Sequence, residues 1–222
     1  MKNTPFIAVT SQPVPYHADT TAIFNTLCQQ NSNSLLLDSA EIGSKNSLQS
    51  LILINAAVKI TCLGNQVTFR ALNANGKQVL KEIHPVLSQL GTVSAVNFEN
   101  EFSVQFASLD NQLDEDSKLQ TATIFDGLRV ISNHYQHSST PVFLGGLFAY
   151  DLVANFIPMQ GVELKDDGIN CPDYSFYLAE NLITIDHQSQ QATLKSFCFS
   201  QEEQVEVAKT AQIGRASCRE RV

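Results

Sequence analysis

"SLILINAAVKITCLGNQVTFRAL", residues 50 to 72, carries the reading on which the fold turns. Residues 50 to 63 are apolar and rich in β-branched side chains, which marks an extended segment, and Gly64-Asn65 then reverses the chain. After the turn Val67 and Phe69 alternate with Thr68 and Arg70, the period-2 pattern of a strand with one face buried. The stretch is therefore a β-hairpin. A second hairpin follows from "SFYLAENLITIDHQSQQATLKSFCF", 175 to 199, with Leu182, Ile183 and Ile185 before a turn at His187 to Gln190, and Leu194, Phe197 and Phe199 after it. Between them, "VNFENEFSVQFAS", 96 to 108, alternates Phe102, Val104 and Phe106.

Working outward, helical spacing separates these strands. Residues 18 to 30 place Ala22, Ile23, Phe24 and Leu27 near one helical face, ending at an Asn-Ser turn. "NANG", 73 to 76, ends the strand before "KQVLKEIHPVLSQL", whose Leu80, Ile83, Leu87 and Leu90 fit a helix that Pro85 should kink or split. In 113 to 136, Ile124, Leu128, Ile131 and Tyr135 share a face, preceded by carboxylates that the helix dipole favours. "SLLLD", 34 to 38, reads as a short strand buried on both sides, and "PVFLGGLFAYDLVANF", 141 to 156, as a strand with a Gly-Gly break running into a short helix. Antiparallel pairs with helices between them predict an α+β fold, antiparallel sheet with flanking helices, rather than a doubly wound parallel one.

Composition narrows the function classes. With 222 residues and 43% hydrophobic content, the chain can bury a large core, and a charged fraction of 16% argues against disorder. A net charge of −8 and a pI near 5.0 disfavour a nucleic-acid backbone as partner and fit a cytoplasmic protein. The opening residues form no signal-peptide core, and no apolar run reaches membrane-spanning length. Cys28, Cys62, Cys171, Cys198 and Cys218 are scattered and read as reduced thiols, mostly core fillers.

The C-terminus behaves differently. "IGRASCRERV", 213 to 222, follows the acidic amphipathic "QEEQVEVAKTAQ", and removing its three arginines and Glu220 takes the net charge from −8 to −10. Back-translated as ATC GGA AGA GCG TCG TGT AGG GAA AGA GTG, these ten residues match the readthrough of a common DNA-sequencing adapter. The expectation is a truncated domain over 1–212, a non-native tail over 213–222, and a gene that continues past Gln212.

Short motifs point to no reaction. His134 and His137 stand at i and i+3, but no Cys or carboxylate holds a matching ligand spacing, so a solvated helix end is expected. Asp110, Asp114, Glu115 and Asp116 lack the turn glycine and closing glutamate of an EF-hand and read as helix-start charges. Gly145-Gly146 matches neither nucleotide-binding fingerprint and reads as a bulge or a close-packing site.

Longer strings carry more. "LLLDSAEIGSK", "LDEDSKL" with "IFDGLRV", "FLGGLFAYDLVANF" and "CPDYSFYLAENLITIDHQ", in that order over about residues 5 to 200, resemble the N-terminal half of anthranilate synthase component I. That resemblance implies the fold of chorismate-utilising enzymes and a lyase of tryptophan biosynthesis. The family converts chorismate and ammonia to anthranilate and pyruvate with Mg2+ as cofactor, the ammonia coming from a glutamine amidotransferase subunit in a hetero-oligomer. It also implies that the chorismate and metal residues lie in the C-terminal half, so that this chain alone should be inactive. The family's N-terminal half carries allosteric feedback inhibition by L-tryptophan at a Leu-Leu-Glu-Ser motif, which falls here on Leu36, Leu37, Asp38 and Ser39. Asp38 replaces the commoner glutamate, keeping the charge with one methylene less reach. Asp38 and Ser39 are thus the expected tryptophan-binding residues, the alternative being a cap on a turn beginning at Ala40. Two other functions compete: another chorismate-utilising enzyme such as aminodeoxychorismate synthase, or a non-catalytic tryptophan-binding or subunit-docking module.

Overall fold

A computed structural model describes residues 5–29, 31–38, 48–107, 116, 121–136, 141–157 and 171–201. Its spine is an antiparallel pair of long strands, β3 (Gln49–Leu63) and β8 (Tyr174–Asp186), paired from Gln49 opposite Asp186 to Cys62 opposite Tyr174. Irregular register between Leu53 and Val58 divides this spine into two halves. Extra residues at such points bend a strand and increase its twist. In the first half β2 (Leu35–Asp38) pairs with β3, while β9 (Gln191–Cys198) and then β1 (Ala8–Val14) extend the other edge. In the second half β4 (Gln66–Ala71), β6 (Glu101–Gln105) and β5 (Thr92–Asn97) continue from β3, and β7 (Leu144–Phe148) pairs with β8. Every pairing is antiparallel, as the α+β reading requires.

Both expected hairpins form. Gly64 takes φ +57°, the left-handed conformation that a tight turn demands and that glycine adopts without a Cβ clash. Phe69 and Phe102 lie opposite each other across β4 and β6 with stacked rings 5.2 Å apart, both fully buried. A pair in that geometry contributes about 1 kcal/mol beyond the area it buries.

Helix α1 (Thr20–Cys28) is capped by Asp19, whose carboxylate accepts from the Ala22 amide at 2.9 Å. Its buried face uses Cys28, whereas Ala22 is exposed, contrary to the expected face. "NANG" is a helix start rather than only a strand end: Asn73 caps α2 (Ala74–Leu87) by accepting from Gly76 N–H at 2.8 Å. A Cβ at Gly76 would overlap the Ala57 carbonyl oxygen, so the missing side chain lets the helix lie against β3. Pro85 does not split α2, because it stands in the last turn where it removes one bond from a helix already ending. Helix α3 (Asp126–His134) is shorter than the apolar spacing suggested, and Ile124 is buried just before it. Asp126 holds its start by accepting from the Thr123 amide at 2.7 Å. Gly146 is a close-packing position, since a Cβ there would meet the Ser175 carbonyl, and β7 runs without a bulge into a 3-10 turn at Tyr150–Asn155.

One strand expectation is corrected. β2 is not buried on both sides: Leu37 is 40% exposed and Asp38 is exposed, because β2 pairs only with Ser50 to Leu53 of β3 and carries no strand beyond it among the described residues. The expectations for residues 39–47, for Asp110, Asp114 and Glu115, for His137 and Cys218, and for the tail from 213 lie outside the described residues.

Candidate functional site at the end of strand β2

The antiparallel register of β2 on β3 places Asp38 opposite Ser50, and the register of β3 on β8 places Ser50 opposite Ile185. The chain then turns after Asp186, and His187 N–H donates to the Leu48 carbonyl at 2.9 Å, which fixes the turn beside the start of β3. Three segments distant in sequence therefore meet at one point. Ser50 is fully buried there although it carries a hydroxyl, and a buried hydroxyl needs partners. It has two: the Asp38 carboxylate and His187 Nε2, the latter at 2.8 Å. On its far side the imidazole meets Tyr16, with Nδ1 3.3 Å from the phenol oxygen and the rings edge to face at 5.9 Å.

The turn itself is acidic at its entrance. Asp186 accepts from the backbone amides of Ser189 and Gln188, both at 2.9 Å, and the Ser189 amide in particular holds its carboxyl below the ordinary carboxylate range. Beneath these groups lies a small apolar cluster of Cys28, Ile52, Ile183, Ile185, Ala192 and Leu194. The result is an exposed carboxylate at a strand end, tied from behind to a buried hydroxyl.

Asp38, one of the two expected site residues, is thus placed on an exposed edge and built into a polar chain; Ser39 lies outside the described residues. Ser50 and His187 were not anticipated. Ser50 stands at the head of an apolar run and His187 in a turn, and only the tertiary register brings them to Asp38.

Two other sequence candidates within the described residues, His134 and Cys62, take structural roles. His134 is no solvated helix end: its Nε2 lies 3.0 Å from Glu82 of α2, and its side chain is only 21% exposed. Glu82 also accepts from Tyr135 O–H at 3.0 Å and Gln78 at 2.8 Å. Burial raises the Glu82 carboxyl, but the bonds from His134, Gln78 and Tyr135 outweigh it and leave it below its ordinary value. Cys62 is pushed up to about 12 by burial and by the nearby Asp173 charge, against a smaller lowering from Tyr174, so at neutral pH it is an inert thiol. A groove of about 470 Å³ beside α2, lined in part by Lys77, Lys81, His84 and Phe98, shares no residue with the Asp38 cluster. Among the described residues no three His, Cys, Asp or Glu side chains gather where a metal ion could be held, and no helix is long and apolar enough to cross a membrane.

Comparison with known proteins gives this geometry a context. No protein-family profile matches the chain. Curated relatives do: "Anthranilate synthase component 1" of Haemophilus influenzae is 85% identical over 206 residues, 93% of this chain and 40% of that protein. The proteins of the same name from Vibrio cholerae and Escherichia coli are 44% and 36% identical over 90% and 89% of this chain, and 38% of each of their own lengths. The chain spans about two fifths of the length of the curated relatives it matches. On these matches it belongs to the anthranilate synthase component 1 family, as an N-terminal portion of that sequence.

Proposed function

We propose that this chain forms the regulatory, N-terminal part of an anthranilate synthase large subunit and receives tryptophan at the end of β2. In this reading the whole cytoplasmic subunit converts chorismate and ammonia to anthranilate and pyruvate, with ammonia drawn from glutamine by an amidotransferase partner. The antiparallel sheet is the N-terminal half of the fold of chorismate-utilising enzymes. Residues 1–212 belong to that domain, and 213–222 to the adapter-derived tail.

The observation that carries the reading is Asp38. An exposed carboxylate held from behind is suited to an amino acid's ammonium group, since a charge-assisted hydrogen bond is about twice as strong as a neutral one. Ser39, next along the chain, brings a hydroxyl that can donate to a carboxylate or accept from an indole N–H. The family name shared by the relatives favours the anthranilate branch over aminodeoxychorismate synthesis. Mg2+, held by residues beyond this chain, would neutralise the substrate's carboxylate while the amine adds and pyruvate leaves. This chain's part is regulation.

The test is an assay for fluorescent anthranilate from chorismate, ammonium and Mg2+. The full-length subunit should form it and lose the activity on addition of tryptophan, while the 222-residue chain alone should form none. Anthranilate made by the chain alone, or a subunit indifferent to tryptophan, would overturn the assignment.

A further inference from the structure

We infer that Ser50 and His187, backed by Tyr16, are positioning residues that orient the Asp38 carboxylate for the ammonium group of an amino-acid effector, an inference that rests on the proposed tryptophan site. The direction of every bond follows from donor capacity. An ionised carboxylate only accepts, so the single Ser50 O–H must point to Asp38 Oδ1. With its proton committed, the Ser50 oxygen can engage His187 Nε2 at 2.8 Å only as an acceptor, which places the imidazole proton on Nε2. A neutral imidazole protonated at Nε2 carries its lone pair on Nδ1, and Nδ1 accepts from Tyr16 O–H at 3.3 Å. The chain of donation therefore runs Tyr16 to His187 to Ser50 to Asp38.

Four segments supply its members: the connection before α1, the end of β2, the start of β3 and the turn after β8. The buried link is Ser50, and no water competes for its hydroxyl at 0% exposure. Hydrogen bonds in sequence polarise one another, and a side chain fixed by such a chain loses less freedom when it meets a ligand. A second consequence concerns the shortened acid. With one methylene fewer than glutamate, Asp38 cannot reach by rotating freely, so its orientation has to be set by the strand beneath it. The other charged group facing the imidazole is Asp186, its chain neighbour, whose carboxylate is already committed to the turn amides.

Two measurements test this. Long-range ¹⁵N–¹H spectra of the 222-residue chain should show His187 as the Nε2–H tautomer with a slowly exchanging ring proton, and Ser50→Ala should abolish that protection while the backbone amide spectrum is retained. An Nδ1–H tautomer, or a ring signal unchanged by Ser50→Ala, would overturn the relay. In the full-length subunit, Ser50→Ala should raise the tryptophan concentration for half inhibition about tenfold, the scale of one charge-assisted hydrogen bond. Ser50→Thr, which keeps the hydroxyl, should restore it, and His187→Gln, which keeps a donor, should fall between. His187 stands in a turn and its replacement leaves the strands intact, so it serves if Ser50→Ala fails to fold. Inhibition unchanged in Ser50→Ala and in His187→Phe would contradict the positioning role. A parent subunit that ignores tryptophan would remove the feedback reading instead, and the imidazole spectrum would still decide the relay.

Discussion

The two halves of the β3–β8 spine are built to different standards. Beyond the irregular register, β4, β6, α2 and α3 enclose the large cluster around Phe69, Phe102, Ile83 and Tyr174, and side chains there are almost wholly removed from water. Before it, β2 and α1 cover a cluster of six buried residues, and Leu36 and Leu37 of β2 remain partly accessible. Stability resides in the first kind of packing. The second kind leaves a strand edge on which a carboxylate can face a ligand, which agrees with the general tendency of binding regions to come from the less protected parts of a fold.

Truncation mutants should separate the halves most sharply. Phe69→Ala is expected to cost about 4 kcal/mol, since it loses both burial and the Phe102 stack, whereas Ile185→Ala in the smaller cluster should cost about 2 kcal/mol. Urea unfolding midpoints measure both, and equal costs would break the comparison. A smaller effect belongs to the clamp between α2 and α3. Glu82→Gln should cost about 1 to 2 kcal/mol near neutral pH. Because the folded carboxyl of Glu82 titrates below its ordinary 4.5, its contribution is complete above that pH and disappears as pH falls through the lower, folded value. The stability difference between parent and Glu82→Gln should therefore shrink on acidification. A gap that widened in acid would contradict the assignment. The smallest change expected is at the exposed pair Arg70–Glu101, where Arg70→Ala should move stability by no more than about 0.5 kcal/mol even though it lies over the stronger half.

Legibility in the sequence followed the same division. Both hairpins announce themselves through alternation, the first also through its turn glycine Gly64, because one face of each strand is buried, in the large cluster for β4 and largely in the smaller one for the end of β8 and the start of β9. β5 did not, since "TVSAVN" has no large alternating apolar residue, and β1 did not because "AVTSQPV" contains Pro13 and finds its partner β9 only across the whole length of the fold. Three leucines in β2 suggested burial on both faces, yet what covers a strand depends on its neighbours, not on its own composition. Asp38 could be reached through the family motif; Ser50 and His187 could not. A serine heading an apolar run and a histidine in a turn have no local signature, and their shared position is a property of register alone.

Asp38 as the ammonium acceptor is the centre of the proposed tryptophan site. Titrating the full-length subunit with L-tryptophan by calorimetry, parent against Asp38→Ala, measures this directly. Loss of a charge-assisted contact should weaken binding by at least about tenfold, with Asp38→Glu keeping most of the affinity. Equal affinity of Asp38→Ala and the parent would contradict the account.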